Sequence, residues 1–176
     1  MLKPCLRNKN SSKLKRQKRL QNTKFMLGHG KKLAWTLGLL LLPALAMALD
    51  FRSVAVPKAV LYDAPSIAAK KVYLLSQYYP VEVVVNLGDW LKVRDAQGGL
   101  NWLEAKQLSN KRWLLVTANK AEIRMSAEPG SRLLATVEKD VLLEVLEQKP
   151  TNGWLKVKHR DGTLGFVLSS TTWGGD

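Results

Sequence analysis

The sequence predicts an all-β protein with two tandem copies of one small barrel, and an internal repeat is the main observation behind this prediction. Trp90–Leu103 has the sequence WLKVRDAQGGLNWL, and Trp154–Val167 has the sequence WLKVKHRDGTLGFV. The two segments align without a gap at a spacing of 64 residues. Self-similarity at a fixed spacing is typical of a duplicated structural unit.

A second observation is that the repeat continues upstream of these segments. At a spacing of 62 residues, apolar positions match in pairs, which are Phe51 with Trp113, Val54 with Val116, Leu61 with Ile123, Leu75 with Val137, Val81 with Leu143 and Val83 with Val145. The spacing changes in the stretch before Trp90, whose Gly-, Pro- and Asn-containing counterpart before Trp154 is two residues longer. Such a stretch is typical of a loop, and loops absorb insertions at small entropic cost. We therefore expect two copies of one module from Leu49 onward.

A third observation is that short apolar or β-branched runs alternate with turn residues, which predicts strands. The predicted strands are Val54–Val60, Val72–Leu75, Val81–Val85, Leu91–Val93 and Leu100–Leu103, and then Leu114–Thr117, Leu133–Val137, Val141–Leu146, Leu155–Val157 and Leu164–Val167. Asp161-Gly162 predicts a type I′ hairpin turn, because both residues tolerate positive φ. Five short strands in about sixty residues favour a strongly bent barrel, whose closure protects the strand edges.

The repeat also predicts the domain organisation. Residues 1–48 form a leader, residues 49–108 the first barrel, residues 109–113 the linker and the start of the second copy, and residues 114–176 the second barrel with a short C-terminal tail. Because a module of this size buries only a modest core, the two copies are expected to support each other through a shared interface.

The charge distribution argues against nucleic-acid binding, although the whole chain carries a net charge of +14. Nine of the 28 Lys and Arg residues precede Met26, and all 14 Asp and Glu residues lie from Asp50 onward. From Leu49 onward, 17 basic residues face 14 acidic ones. That balance is ordinary for a soluble surface. No nucleic-acid partner is therefore predicted.

Residues 31–49 have the three parts of a secretory signal peptide. A basic pair precedes the apolar run Leu33–Leu42, and small residues at Ala46 and Ala48 form a cleavage site. Cleavage after Ala48 predicts a periplasmic or secreted product. The polar stretch ahead of the run is long for a signal, and translation from Met26 restores an ordinary length.

The alternative for this apolar run is an uncleaved inner-membrane anchor, although it is short for a span of about 20 residues and contains Pro43. Residues 33–49 are expected to contact the membrane transiently. Cys5, the only cysteine, lies in the leader, so the predicted mature chain contains neither a disulfide nor a lipid-modified cysteine.

Each copy resembles the bacterial SH3-like (SH3b) family. In the second copy the resemblance rests on Ile123–Ser126, Leu143–Val145, Gly153–Val157 and Gly165–Val167. The first copy departs from the family pattern by Asp89 before Trp90 and Asn101 before Trp102. The resemblance implies two tandem small SH3-like β-barrels. It also implies that peptidoglycan, or an envelope peptide or protein, is the partner.

The residues that catalysis needs are scarce from Leu49 onward. His159 is the single histidine there, no cysteine is present, and the carboxylates form no pair that recurs in both copies. A lone histidine lacks the partners of a metal site. SH3b modules often accompany Cys/His cell-wall peptidases, but no such domain fits this chain. We predict no catalytic residue, no metal, no cofactor and no enzymatic activity.

Aromatic and basic residues of the repeat are the candidate ligand-binding residues. Period-two alternation places each repeated Trp on the basic face of its strand, and the candidates are Trp90, Lys92, Arg94, Trp154, Lys156 and Lys158. A Trp beside a basic group is suited to an extended peptide or a glycan with acidic parts. The alternative is that each indole only covers the barrel end, and Trp102 and Phe166 are expected in the core.

Two tyrosines complete the candidate set. Tyr78 and Tyr79 have no aromatic counterparts in the second copy, so the first copy is expected to carry the more specialised surface. Together these features predict an exported, non-enzymatic binding module of the cell envelope. The alternative is a membrane-anchored structural or regulatory partner of an envelope protein complex.

Overall fold

The computed structural model describes residues 49–175, which lie within one compact unit. The predicted leader, with the signal peptide, the start at Met26 and the cleavage site at Ala48, lies outside the described residues. Within the described range, fourteen strands form two antiparallel sheets of seven strands each. The all-β class is confirmed.

The first sheet contains the first copy of the repeat. Its strands are β1 (Phe51–Val54), β2 (Lys58–Tyr62), β3 (Lys71–Ser76), β4 (Pro80–Asn86), β5 (Trp90–Arg94), β6 (Leu100–Glu104) and β7 (Leu108–Ser109). They pair in the order β3-β2-β6-β5-β4-β1-β7. A single 3₁₀ turn, Ala105–Gln107, leads into β7.

The second sheet repeats this topology strand for strand. Its strands are β8 (Trp113–Val116), β9 (Lys120–Arg124), β10 (Leu133–Glu138), β11 (Leu142–Val145), β12 (Trp154–Lys158), β13 (Leu164–Leu168) and β14 (Thr172–Trp173). They pair in the order β10-β9-β13-β12-β11-β8-β14. Each copy is therefore a domain with its own sheet, and the two tandem domains are referred to below as domain 1 and domain 2.

Each sheet bends around one hydrophobic core. Period two turns Leu91 and Val93 of β5 inward, where each is at most 1% exposed, and turns Lys92 outward. Leu155 and Val157 of β12 repeat this arrangement. Among the described strands, the pairing order ends at β3 and β7 in domain 1, so the sheet is not closed by hydrogen bonds. The predicted barrel is thus an open, curved sheet.

Several predictions about local structure are wrong. The run Val54–Val60 is two strands, β1 and β2, separated at residues 55–57, where Pro57 has no N–H for a ladder. The strand β9 was not predicted, because Lys120 and Glu122 interrupt its apolar pattern. The turn at Gly162 is not type I′, because only Gly162 of the Asp161-Gly162 pair has positive φ (94°).

Two aromatic residues lie on the face of the sheet opposite the core. Trp102 pairs with Lys92 and Phe166 pairs with Lys156, so both point away from the inward Leu and Val residues. Both are half-buried, and neither belongs to a core cluster. The prediction that Trp102 and Phe166 lie in the core is therefore wrong.

The two domains share an interface, as the small size of each module predicts. The Phe51 ring meets the Trp173 ring edge to face, with centroids 5.1 Å apart. The Trp113 backbone N–H donates to Ser53 Oγ at 3.1 Å. Arg112 lies over the Phe51 ring at 5.3 Å and donates to the Gly174 carbonyl at 2.5 Å. These contacts join the first strand of domain 1 to both terminal strands of domain 2.

Candidate functional site

A cleft of about 500 Å³ lies beside the repeated tryptophan of domain 1. One wall is the loop between β2 and β3, and the other is formed where β5 begins and β6 ends. The residues that line this Trp90 cleft are Pro65, Ser66, Ile67, Asp89, Trp90, Glu104 and Lys106. The cleft brings together a loop and two strand ends that are far apart in the sequence.

The indole of Trp90 packs against the ring of Tyr62, which limits its movement. It is half-buried and meets the Tyr62 ring edge to face, with centroids 5.4 Å apart and an interplanar angle of 84°. Across the sheet, Trp90 pairs with Glu104. Ile67 stands on the opposite wall with 72% of its surface exposed. The cleft therefore offers a fixed aromatic surface facing a free aliphatic side chain.

Charged groups form the rim of the Trp90 cleft. Lys106 Nζ lies 2.7 Å from Glu104 Oε1, and this hydrogen bond raises the pKa of Lys106. The amide of Gln107 donates to the other oxygen of Glu104 at 3.0 Å. Asp89 adds a carboxylate on the same rim. The rim thus carries both signs of charge around an aromatic wall.

The departure of domain 1 from the family pattern leaves the local turn intact. Gly88 adopts φ 83° and donates its N–H to Asn86 Oδ1 at 2.8 Å, and the Leu87 N–H donates to the Trp90 carbonyl at 2.9 Å. The carbonyl of Asp89 accepts a bond from the Ala105 N–H at 2.8 Å. The turn therefore uses Gly88 where domain 2 uses Gly153, at φ 80°.

Domain 2 has an equivalent cleft, of about 550 Å³, beside Trp154. Its chemistry differs from that of the first. Trp154 is only 7% exposed, and Leu168 stands where domain 1 has Glu104. Arg124 on the rim is already bonded to Glu122 and to the Ser131 carbonyl, both at 2.5 Å. The Trp154 cleft presents less aromatic surface than the Trp90 cleft.

Most of the predicted basic ligand residues are engaged within their own domain. Lys92 Nζ lies 5.9 Å from the Trp102 ring centroid. Arg94 Nη1 lies 3.0 Å from Glu82 Oε2, and Glu82 is 7% exposed. Lys156 Nζ lies 2.7 Å from Glu147 Oε1. Lys158 is exposed and makes no ion pair in the described part of the chain.

The tyrosines of domain 1 have separate roles. Tyr79 is half-buried, and its hydroxyl donates to Gln97 Oε1 at 3.1 Å and accepts the Ala96 N–H at 3.4 Å. Burial raises the pKa of Tyr79. These bonds anchor the turn between β5 and β6. Tyr78 is 40% exposed and stacks on Trp113 of domain 2, with centroids 4.1 Å apart. Neither tyrosine lines the Trp90 cleft.

Tyr73 also stabilises the turn between β5 and β6, where Tyr79 is bonded. The Tyr73 hydroxyl donates to Asp95, whose side chain also accepts the N–H groups of Gln97 at 2.9 Å and Gly99 at 2.8 Å. Burial and the hydrogen bond to Asp95 raise the pKa of Tyr73. Asp95 is 5% exposed, and these donors supply hydrogen bonds to its buried carboxyl oxygens.

His159 lies in the turn between β12 and β13. Its Nδ1 is 3.0 Å from Asp161 Oδ1, and its side chain is 17% exposed. Over residues 49–175 no group of three or more His, Cys, Asp and Glu side chains has the arrangement of a metal site. In the described structure His159 therefore lies beside Asp161 in a hairpin turn.

Sequence reasoning identified Trp90 but not the other walls of its cleft. Tyr62, Ile67 and Glu104 were not predicted to meet it, because nothing in the local pattern links the β2–β3 loop to the start of β5. The Pro65-Ser66 turn signal could have marked the loop.

Comparison with known families gives a consistent result. A family model for the bacterial SH3 domain matches residues 55–110 and again residues 117–174. The chain belongs to the bacterial SH3 domain family. The resemblance predicted from the repeat is confirmed, with one domain match in each sheet. A search of the curated proteins found no match.

Several solved structures resemble the chain. NlpC2 from Trichomonas vaginalis is 14% identical with a TM-score of 0.34, and the match covers 72% of this chain and 48% of that one. An NlpC/P60 family protein from Bacillus cereus is 18% identical with a TM-score of 0.32, and the match covers 70% of this chain and 55% of that one. The chain thus spans about half the length of these proteins.

The following properties are those of the family as a whole. Bacterial SH3 domains are cell-wall binding modules that are themselves non-catalytic, and they are typically extracellular or periplasmic. Among residues 49–175 no helix has the length and apolar character needed to cross a membrane.

Proposed function

We propose that the protein is an exported, non-enzymatic binding protein of the cell envelope that holds peptidoglycan, or an envelope peptide or protein, in the Trp90 cleft. The observation that carries the proposal is the half-buried Trp90 facing the exposed Ile67 across an open cleft of about 500 Å³. Because the Trp90 ring already packs against Tyr62, it contacts a sugar ring or an extended peptide with little further loss of conformational entropy.

The rim of the Trp90 cleft supports this class of ligand. Peptidoglycan combines sugar rings with peptides that carry both carboxylate and amine groups. Asp89 and the Lys106–Glu104 pair place both signs of charge on the rim, where an amine or a carboxylate of the ligand competes for a partner. The exposed rim charges contribute mainly to selectivity and association rate, while the aromatic wall contributes most of the affinity.

Domain 1 is the principal binding domain in this proposal. Its tryptophan has accessible surface, whereas Trp154 is 7% exposed and its neighbour Arg124 is already paired. The candidate residues Lys92, Arg94 and Lys156 stabilise the outer faces of the sheets through their own partners. Lys158 remains a candidate for contacts with an acidic ligand.

Sedimentation with purified peptidoglycan tests the proposal, using residues 49–176 and two substitutions. Ile67→Ser removes an exposed wall of the Trp90 cleft without disturbing the core, and it is expected to weaken binding several-fold. Met125→Ser is the matched control, since Met125 is 63% exposed on the corresponding loop of domain 2. Equal sedimentation of wild type and Ile67→Ser would contradict a role for the Trp90 cleft.

Export is tested by cell fractionation combined with N-terminal sequencing. We expect a periplasmic or secreted product that begins at Leu49, after cleavage at Ala48. A product that retains Lys13–Arg19 would contradict the signal peptide. Persistent membrane fractionation without peptidoglycan binding would instead support the membrane-anchored alternative.

A further inference from the structure

A second cleft, of about 450 Å³, lies between the two domains. Its apolar floor consists of the stacked rings of Tyr78 and Trp113 together with Val141 and Leu142. The ring planes are 18° apart, so the two domains present one continuous aromatic surface. This interdomain cleft shares no lining residue with the Trp90 cleft.

The backbone of Tyr78 is strained at the position where its ring stacks on Trp113. Tyr78 adopts φ 71° in the turn between β3 and β4, a conformation that is costly for a bulky aromatic residue. The equivalent residue of domain 2 is Asp140, at φ 66°, and Asp tolerates this region. Both turns make the same bond, from the Tyr78 N–H to the Val54 carbonyl and from the Asp140 N–H to the Val116 carbonyl, each at 2.9 Å.

A strained aromatic residue in an exposed position points to binding. Tyr78 is 40% exposed, so the strain is not compensated by full burial of the ring. Strain of this kind costs on the order of a factor of ten in the folding equilibrium and persists where the position has another use. The ring is accessible on the side that faces the cleft.

Two opposite charges border the floor of the interdomain cleft. Asp140 and Arg160 both line it, both are exposed, and no ion pair joins them. Within residues 49–175 neither side chain has another ion-pair partner. The Nδ1 atom of the neighbouring His159 lies 3.0 Å from Asp161 Oδ1. A carboxylate and a guanidinium that form no ion pair with each other thus line one apolar cleft and remain available to a ligand.

We infer that the interdomain cleft binds a short peptide whose free ammonium and free carboxylate lie on either side of an apolar residue. Arg160 takes the carboxylate, for which a guanidinium offers paired donors. Asp140 takes the ammonium, and the apolar side chain lies on the Tyr78–Trp113 surface. The volume of the cleft lies within the range of small-ligand sites.

The test uses the tripeptide Ala-Leu-Ala in three forms: with both termini free, with an N-acetyl group, and with a C-terminal amide. Binding to residues 49–176 is followed by two-dimensional NMR, with chemical-shift changes expected at Tyr78, Trp113 and Val141. A charge-assisted hydrogen bond changes affinity roughly tenfold or more, so each blocked form is expected to bind at least about tenfold more weakly than the free form.

Two substitutions assign each charge to its partner. Arg160→Gln is expected to abolish the difference between the free and the amidated peptide while keeping the difference caused by acetylation. Asp140→Asn is expected to do the reverse, and Asn tolerates the positive φ at this position. Arg132→Gln, an exposed arginine of domain 2 outside the cleft, is the control and is expected to behave like wild type.

The NMR results either support the inference or overturn it. Shifts confined to the cleft, together with the two crossed losses of discrimination, support the inference. It is overturned if the free tripeptide causes no shifts up to about 10 mM, or if Arg160→Gln discriminates between the peptides as wild type does. Because Ile67 lines a different cleft from these residues, peptidoglycan sedimentation can fail while tripeptide binding succeeds, and the reverse also holds.

Discussion

Trp90 and Tyr62 meet edge to face, with ring centroids 5.4 Å apart and planes at 84°. Tyr62 is 6% exposed and belongs to β2, whereas Trp90 begins β5 and is half-buried. The buried ring thereby fixes the orientation of the ring that lines the Trp90 cleft. The aromatic wall is rigid because its support comes from the core.

The Tyr62–Trp90 pair is expected to contribute a measurable coupling energy. In a double-mutant cycle with Tyr62→Leu and Trp90→Leu, we expect about 0.5–1.5 kcal/mol of coupling in the free energy of unfolding, because edge-to-face pairs contribute this much beyond buried area. Urea denaturation measures it. Strictly additive losses would show that the two rings merely share a location.

Arg94 is expected to stabilise the fold through its ion pair with Glu82. Glu82 is 7% exposed and its oxygen lies 3.0 Å from Arg94, so Arg94→Gln leaves a largely buried carboxylate without its cation. We expect a loss of about 1–3 kcal/mol in the free energy of unfolding, at the lower end because Arg94 is partly exposed. Urea denaturation of Arg94→Gln checks this.

The control for this prediction is the double substitution Glu82→Gln with Arg94→Gln. Removing both charges leaves no isolated ion, so most of the lost stability is expected to return. A double variant that is as unstable as Arg94→Gln would indicate that packing of the arginine stem, and not the charge, is responsible.

Gly165 is expected to tolerate no side chain. A Cβ at this position in β13 would lie 2.5 Å from the Arg124 carbonyl oxygen and 2.7 Å from Ile123 Cγ2. Gly165→Ala is therefore expected to lower the free energy of unfolding by about 1–3 kcal/mol. Gly130→Ala is the matched control, because a Cβ there meets nothing within 4 Å. Similar thermal midpoints for both variants would contradict the prediction.

Asp161 is expected to titrate with a pKa of about 2, below its ordinary value of 3.8. The main cause is the Thr163 backbone N–H, which donates to Asp161 Oδ1 at 2.8 Å. Because the folded pKa is the lower one, this carboxylate stabilises the fold above pH 3.8 and loses that effect as the pH falls towards 2.

Carbon-detected NMR of the Asp161 carboxyl measures this titration, and urea denaturation between pH 4 and pH 2 measures its linkage to stability. Asp161→Asn is expected to lose less stability over this interval than wild type does. A carboxyl that titrates at its ordinary pKa would show that the bond to Thr163 does not persist in solution.

Local pattern predicted the inward and outward faces of β5 and β12, because alternation over Leu91, Lys92 and Val93 depends only on neighbours in sequence. It did not predict that Trp102 faces away from the core, since an aromatic residue is apolar enough for either face. The strand pairing decides this, through the register that sets Trp102 opposite Lys92.

The candidate site was predictable only in part. Trp90 stands out because the repeat marks it, but Ile67 reaches the cleft through a loop whose path depends on the folded sheet. Tyr78 was singled out for lacking an aromatic counterpart. Its stacking partner Trp113 belongs to the other domain, and no pattern within one copy indicates a contact between copies.

The interface that joins Ser53 and Phe51 to the terminal strands of domain 2 has a consequence for ligands with repeated units. The two domains are bonded to each other. A polymer that occupies the Trp90 cleft and the Trp154 cleft together therefore gains effective concentration only if its own repeat matches the distance between these clefts. A freely jointed pair would accept many spacings weakly. We therefore expect these two domains to bind best a ligand whose repeat matches the separation of their clefts.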